Sequence, residues 1–188
     1  MQTLDNKGNK HTPHAKRRAL LAAASFAPWG AFMARTSVFA WQQAWPLMLF
    51  YAILVLNTFF SVRTFASITP SRHIGQNLWD GLLVVFFLLM PLRFNSPLHF
   101  VLLATMFFAV SLLKYIFLIP IAGFSRLLYA KIRINALGVL LCIAVLTGIL
   151  AGYAFYATAL WAIIFLMANI YLLWWRPLYR LDMHRPVQ

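Results

Sequence analysis

Asp80 is the carboxylate most able to do chemistry inside this chain, because it stands at the start of the apolar run NLWDGLLVVFFLLMP (77–91). The chain has three acidic residues, and the other two, Asp5 and Asp182, lie near its ends. Lys114 is the only basic residue well inside an apolar run. Ionisable side chains within a membrane usually face the protein interior, pair with one another and mark a site. We therefore expect Asp80 to pair with Lys114.

Two asparagines, Asn57 and Asn169, fall in the corresponding halves of their own apolar runs. The sequence therefore predicts a polar intramembrane cluster of Asp80, Lys114, Asn57 and Asn169 near the inner leaflet. Two other interpretations stay open. Asp80 could cap its own helix while Lys114 extends to the lipid head groups, or the pair could be a salt bridge with a structural role alone.

The elements that position these residues are membrane-spanning helices. The chain is 63% hydrophobic and 10% charged, and its mean hydropathy is +0.77. Several apolar runs approach or reach the roughly 20 residues that cross a hydrocarbon core of about 30 Å. We predict an all-α integral membrane protein with about six transmembrane helices in one bundle over 20–175, flanked by a flexible basic tail at 1–19 and a basic tail at 176–188. The predicted spans are 20–40, 44–62, 77–92, 97–121, 134–152 and 156–175.

The basic residues favour six spans over five. With five spans, the lysines and arginines divide almost equally between the two sides. If 20–40 also crosses, thirteen of the sixteen basic residues lie on one side and only Arg35 and Arg93 on the other, with Lys114 inside a span. Short cytoplasmic loops carry an excess of Lys and Arg. We therefore predict that both termini are cytoplasmic, in an integral membrane protein of the bacterial inner-membrane type.

The segment FSRLLYAKIR (124–133) is the most basic of the predicted loops. It predicts a short helix lying on the inner leaflet, with Arg126, Lys131 and Arg133 forming a basic cytoplasmic surface. Anionic lipid head groups would bind such a surface, because each basic residue there contributes about 1 kcal/mol. The alternative occupant is an acidic cytosolic protein, since the net charge is +13. Nucleic acid is not expected.

A stripe of small residues marks the fifth predicted span. Ala144, Gly148 and Gly152 follow one another at intervals of four residues. Such a stripe lets a second helix approach closely, and in lipid this close packing replaces the hydrophobic drive. The stripe is predicted to pack within the subunit or, as an alternative, to form a homo-oligomer.

Enzyme signatures are sparse. No two carboxylates lie close enough in the sequence for acid–base or metal chemistry, so we predict no catalytic residue, no metal site and no cofactor. His73 and His99 are predicted on opposite sides of the membrane, which disfavours a haem held by two histidines. The single cysteine, Cys142, lies in an apolar run and indicates packing.

Two functions follow from this pattern, and an enzyme is disfavoured. The first is a non-enzymatic membrane subunit that oligomerises, or joins a larger membrane complex, and presents its basic surface to a partner or to anionic lipid. The alternative is a small channel or carrier for an ion or small solute that uses the inner-leaflet polar cluster.

Overall fold

The chain is helical in the residues that the computed structural model describes, which are 12–36, 41–65, 74–123 and 125–175. This part of the chain contains six α-helices and no strand. A short 3₁₀ turn at Pro91–Arg93 precedes the fourth helix, and the last helix continues as a π-helical turn at Tyr171–Trp175. The α-helices are α1 (Thr12–Thr36), α2 (Trp41–Phe65), α3 (Ile74–Leu89), α4 (Pro97–Ala122), α5 (Arg126–Leu150) and α6 (Ala154–Ile170).

Five helical segments are long and apolar enough to cross a membrane by length and composition: α2, α4 and α5, α3 continued through the 3₁₀ turn to Arg93, and α6 continued into the π-helical turn to Leu173. Helix α1 has 25 residues, enough at about 1.5 Å per residue to cross about 30 Å, but it includes Arg17 and Arg35 and is not among the five. The all-helical fold is confirmed. The sixth span and the cytoplasmic position of both termini stay predictions.

Two helices begin earlier than the sequence pattern indicated. Helix α1 begins at Thr12, within the segment predicted as a flexible tail. Helix α5 is continuous from Arg126 to Leu150, so the prediction of a separate interfacial helix over 124–133 is wrong. Residues 126–137 contain no glycine or proline that would end a helix. Ser125 caps α5, its side chain accepting a hydrogen bond from the backbone N–H of Leu128 at 3.1 Å.

Glycines with positive φ make two of the tight turns. Gly123, at φ +75°, follows α4 and donates its backbone N–H to the carbonyl of Ile119 at 2.9 Å. Gly152, at φ +89°, lies in the turn between α5 and α6. L-residues rarely adopt this region, so these positions favour glycine. These turns set α4 beside α5 and α5 beside α6.

Around the bundle the helices follow one another in the order α1, α2, α6, α5, α4 and α3, and α3 lies beside α1. The contact between α1 and α3 is the slightest of these neighbours. We call the half of the bundle nearer the α3–α4 and α5–α6 turns the packed half. The half nearer the α4–α5 turn is called the polar half.

Aromatic rings fill the packed half. Phe50 of α2 and Trp161 of α6 stack with their ring centroids 3.8 Å apart, and both side chains are almost fully buried. Phe100 of α4 meets the edge of Phe50 at 6.0 Å. Phe26 of α1 stacks on Phe87 of α3 at 4.5 Å. Ring contacts between α1 and α3, between α2 and α4, and between α2 and α6 therefore close this end of the bundle.

The small-residue stripe divides among three environments. Gly148 faces α6 so closely that a Cβ added there would lie 2.9 Å from the Cβ of Ala157. Ala144 is exposed on the outside of α5, and Gly152 belongs to the turn rather than to the helix. One of the three residues thus makes a close helix contact within this chain.

Candidate functional site

Asp80 and Lys114 bond to each other across α3 and α4. The ammonium of Lys114 donates to Oδ1 of Asp80. Asp80 is the seventh residue of α3, so it does not lie at the helix N-terminus, where a cap would sit. The Lys114 side chain is 12% exposed and that of Asp80 is 52% exposed. The charge pair therefore has one buried cationic end and one accessible anionic end.

Asn57 and Asn169 also contact each other. The amide nitrogen of Asn57 donates to Oδ1 of Asn169 at 2.6 Å, and the amide of Asn169 donates to the carbonyl of Phe165 at 2.8 Å. Lys131 joins this pair by donating to Oδ1 of Asn57 at 3.4 Å. Helices α5, α2 and α6 are therefore linked by one chain of polar side chains.

Two more buried hydrogen bonds lie in the polar half. Asn135 of α5 donates its amide to the hydroxyl of Ser111 of α4 at 2.9 Å. Ser61 of α2 and Tyr115 of α4 share a hydrogen bond of 3.1 Å between their hydroxyls. Together with the preceding contacts, these bonds connect each of the helices α2 to α6 to at least one other through polar side chains.

The position of Lys131 differs from the sequence-based prediction. Arg126 and Arg133 are exposed, as a basic surface requires, but Lys131 is only 6% exposed and points into the bundle. The reason is that α5 is continuous through this segment. Lys131 therefore shares the buried face of α5 with Leu128, three residues before it, and Asn135, four residues after it. The prediction that placed Lys131 on the cytoplasmic surface is corrected.

The polar side chains line a cavity of about 690 Å³ between the helices. Its volume lies within the range of about 300–1,000 Å³ that small-molecule sites occupy. The four members of the predicted cluster and Lys131 all line it. Its other polar lining residues are Thr58, Ser61, Gln76, Asn77, Ser111, Tyr115, Asn135 and Tyr171.

Apolar residues line the rest of the cavity, most of them towards the packed half. Every helix contributes to this wall, so the cavity has a polar zone and an apolar zone. The apolar lining comprises Leu21, Ala22, Phe26, Leu54, Leu83, Val84, Phe87, Phe107, Phe108, Ile134, Leu137, Leu141, Ile164 and Phe165, among others. A site of this kind can hold a polar or charged group at one end and hydrocarbon at the other.

Gln76 is the polar lining residue whose hydrogen bonding is incomplete. Its side chain is 2% exposed, and its Oε1 atom has no hydrogen-bond partner among the residues that the structure describes. A buried acceptor without a partner costs about 1–3 kcal/mol, and such groups are rare in folded proteins. A group that donates a hydrogen bond inside the cavity would satisfy this oxygen.

Sequence reasoning missed Gln76, Ser111, Asn135 and the inward direction of Lys131. A signal for them was present. Helices α2 to α5 each bring a pair of polar residues, four positions apart, to one face, and these pairs are Asn57 and Ser61, Gln76 and Asp80, Ser111 and Tyr115, and Lys131 and Asn135. Residues four apart lie on the same side of a helix, so each pair marks an inward face in an otherwise apolar segment.

Other chemistries have little support in this part of the chain. The described residues contain no group of three or more His, Cys, Asp or Glu side chains that could hold a metal ion. Cys142 is a buried free cysteine. His99 lies at the start of α4, where its Nδ1 is 2.6 Å from the hydroxyl of Ser96. His11, His73 and His184 lie outside the described residues.

Comparison with known proteins gave no match to a protein-family model, a curated protein or a solved structure.

Proposed function

We propose that this protein is a carrier-type membrane protein that binds a small solute or lipid component in its intramembrane cavity. The observation that supports the proposal is the polar zone of the cavity, where side chains from α2 to α6 converge at one level. Lys114, Lys131 and Asp80 are costly to place within a membrane, and such residues usually mark ligand or ion pathways.

The proposed orientation places six helices across the membrane, with both termini and the polar half on the cytoplasmic side. Because Lys131 lies inside the bundle, the distribution of basic residues becomes twelve on that side against two on the other, with Lys114 and Lys131 in the spans. This bias still favours the same orientation. A bacterial inner membrane fits the bias and is part of the proposal.

A second candidate is the membrane subunit with a basic cytoplasmic surface. Its support is the exposure of Arg126 and Arg133 at the start of α5. The inward position of Lys131 removes one of the three residues from that surface. Replacing both arginines with glutamine would abolish recruitment of an acidic cytosolic partner if this second function holds, and would leave cavity binding unchanged.

The carrier proposal can be tested by measuring whether the cavity is open to water. Thr58 lines the polar zone beside Asn57 and is only partly buried. A Thr58→Cys variant in a Cys142→Ala background has one thiol in the described helices, placed in the cavity. We expect a membrane-impermeant maleimide to label this cysteine in inside-out vesicles, because water reaches the cavity from the cytoplasmic side.

A Val145→Cys variant in the same background is the matched control, since Val145 is buried and is not a lining residue. It should label far more slowly than Thr58→Cys. Labelling of Thr58→Cys from both membrane faces would also support a carrier, because it would indicate a path through the bundle. Failure to label from either face would overturn the proposal.

A further inference from the structure

We infer that the cavity binds an amphiphile with one anionic head group, which also carries a hydrogen-bond donor, and a single hydrocarbon chain. This inference rests on the proposed function, because it names the class of ligand for the same cavity. Four observations support it: the charge of the lining, the buried oxygen of Gln76, the apolar zone, and the exposed lining at the contact between α1 and α3.

The charge of the lining favours an anion. The ionisable lysine and aspartate residues that line the cavity within the described part of the chain are Lys114, Lys131 and Asp80, and their formal charges sum to +1. Asp80 is bound to Lys114, whereas Lys131 contacts the uncharged side chain of Asn57. A head group with one negative charge would balance the excess. In a low-dielectric site, charge-assisted hydrogen bonds of this kind are about twice as strong as neutral ones.

Gln76 adds a requirement for a donor. Its Oε1 atom is a buried acceptor without a partner in the described residues, and Gln76 lines the same cavity. Carboxylates and fully ionised phosphates only accept hydrogen bonds, so such a group alone leaves this oxygen unsatisfied. A hydroxyl beside the anionic group supplies the missing donor. Glycerol-type head groups combine both features.

The apolar zone accommodates hydrocarbon. Leu54, Phe87, Phe107, Leu141 and Phe165 line it and come from five different helices. A soluble anion would leave this wall without apolar contacts. An alkyl chain would fill it and gain van der Waals contact with the rings and branched side chains. The two zones together therefore match an amphiphile better than a small polar solute.

The contact between α1 and α3 gives such a ligand a way in from the side. Leu21 of α1 and Val84 of α3 both line the cavity, and they are 59% and 43% exposed. Towards the packed half the same two helices are closed by the stacked rings of Phe26 and Phe87. Val84 lies one helical turn from Asp80 on the same side of α3, and the Asp80 side chain is 52% exposed. A lipid could therefore slide its chain between α1 and α3.

The test uses the Thr58→Cys reporter described above and three probes. Myristoyl lysophosphatidylglycerol has the proposed head group and one chain. Myristoyl lysophosphatidylcholine has the same chain and a zwitterionic head group, and glycerophosphoglycerol has the head group without a chain. We expect the first probe to protect the cysteine from maleimide at the lowest concentration, because only this probe has both a net negative charge and the chain.

Variants then locate the head group. Lys131→Met should weaken protection by the first probe about tenfold, and Gln76→Leu about fivefold, as expected for the loss of one charged and one neutral hydrogen bond. Arg133→Met is the matched control, since it removes an exposed basic residue from the same helix. It should change protection by less than about twofold. The melting temperature of each variant without probe checks that the bundle is intact.

The outcomes separate the two proposals. If the reporter labels but no probe protects it, the ligand class is wrong and the carrier proposal stands. If the zwitterionic probe protects equally well, the cavity selects for chain and not for charge. If the head group alone protects equally well, the ligand is a soluble anion. Either of the last two results overturns the amphiphile inference, and absence of labelling overturns the carrier proposal itself.

Discussion

Helices α2 and α6 contact each other in both halves of the bundle, but through different chemistry. In the packed half, Phe50 and Trp161 stack at a centroid distance of 3.8 Å. In the polar half, Asn57 and Asn169 share a hydrogen bond of 2.6 Å. The rings fill the space between the helices, whereas the amides hold the helices together at the edge of a cavity of about 690 Å³.

This difference shows how a membrane bundle can be closed at one end and hollow at the other. Lipid chains are as apolar as a leucine, so helices in a bilayer associate through close packing and hydrogen bonds rather than through the hydrophobic effect. Close packing leaves no room for a ligand. Hydrogen bonds between long polar side chains can span a gap, and the polar half uses them to support the cavity.

The largest expected effect comes from removing a ring in the packed half. Trp161→Ala should lower the free energy of unfolding in detergent by about 3–5 kcal/mol, because it leaves a void beside Phe50 that the bundle can only partly refill. Asn169→Leu, on the same helix, should cost only about 0.6–1.7 kcal/mol, as one interhelical hydrogen bond does. Thermal melts of both variants measure the difference. Equal costs would contradict the division between the two halves.

A smaller effect is expected from adding one methyl group. A Cβ at Gly30 would overlap Cε1 of Tyr51, so Gly30→Ala should cost about 1–3 kcal/mol of stability as an overpacked core does. Gly81→Ala is the matched control, because no atom lies within 4 Å of its added Cβ. The control should be neutral or slightly stabilising in the same melts. A tolerated Gly30→Ala would show that α1 and α2 can separate without loss.

The smallest expected effect concerns the asymmetry of the charge pair. Asp80→Asn leaves the buried ammonium of Lys114 without its carboxylate, whereas Lys114→Met leaves an Asp80 side chain that is 52% exposed. Asp80→Asn should therefore destabilise the protein by about 1 kcal/mol more than Lys114→Met does. Chemical denaturation of the two variants tests this order. The reverse order would indicate that Asp80 is the buried partner.

The sequence predicted the helical class and the approximate position of every helix in the described chain, because each span is a long apolar run. It did not predict where α5 begins. The basic residues of the segment 124–133 were predicted to lie on the membrane surface. In the structure the helix is continuous, and Lys131 and Asn135 face inward. Leu128, Lys131 and Asn135 follow at helical spacing and so share one face of α5. This spacing becomes apparent only when the segment is treated as part of the span.

The candidate site was predicted in part. The paired residues Asp80 with Lys114 and Asn57 with Asn169 were grouped by their expected depth, and depth follows from the length of each span. Which helices are neighbours could not be read from the sequence, because a pair of polar residues marks the inward face of its own helix but does not say which helix lies opposite. The Gln76–Asp80 spacing is visible in the sequence, but only the structure shows that Oε1 of Gln76 is buried without a partner among the described residues.

The hydroxyl of Tyr51 connects α2 to both α1 and α3. Its hydroxyl, on α2, lies 3.3 Å from the carbonyl of Phe26 on α1 and 3.3 Å from the carbonyl of Phe87 on α3. The absence of a side chain at Gly30 makes room for the Tyr51 ring. A hydroxyl carries one proton, so at any instant it fully satisfies only one of the two carbonyls. Tyr51 can therefore keep its hydrogen bond to α1 when α3 moves away, or to α3 when α1 moves away.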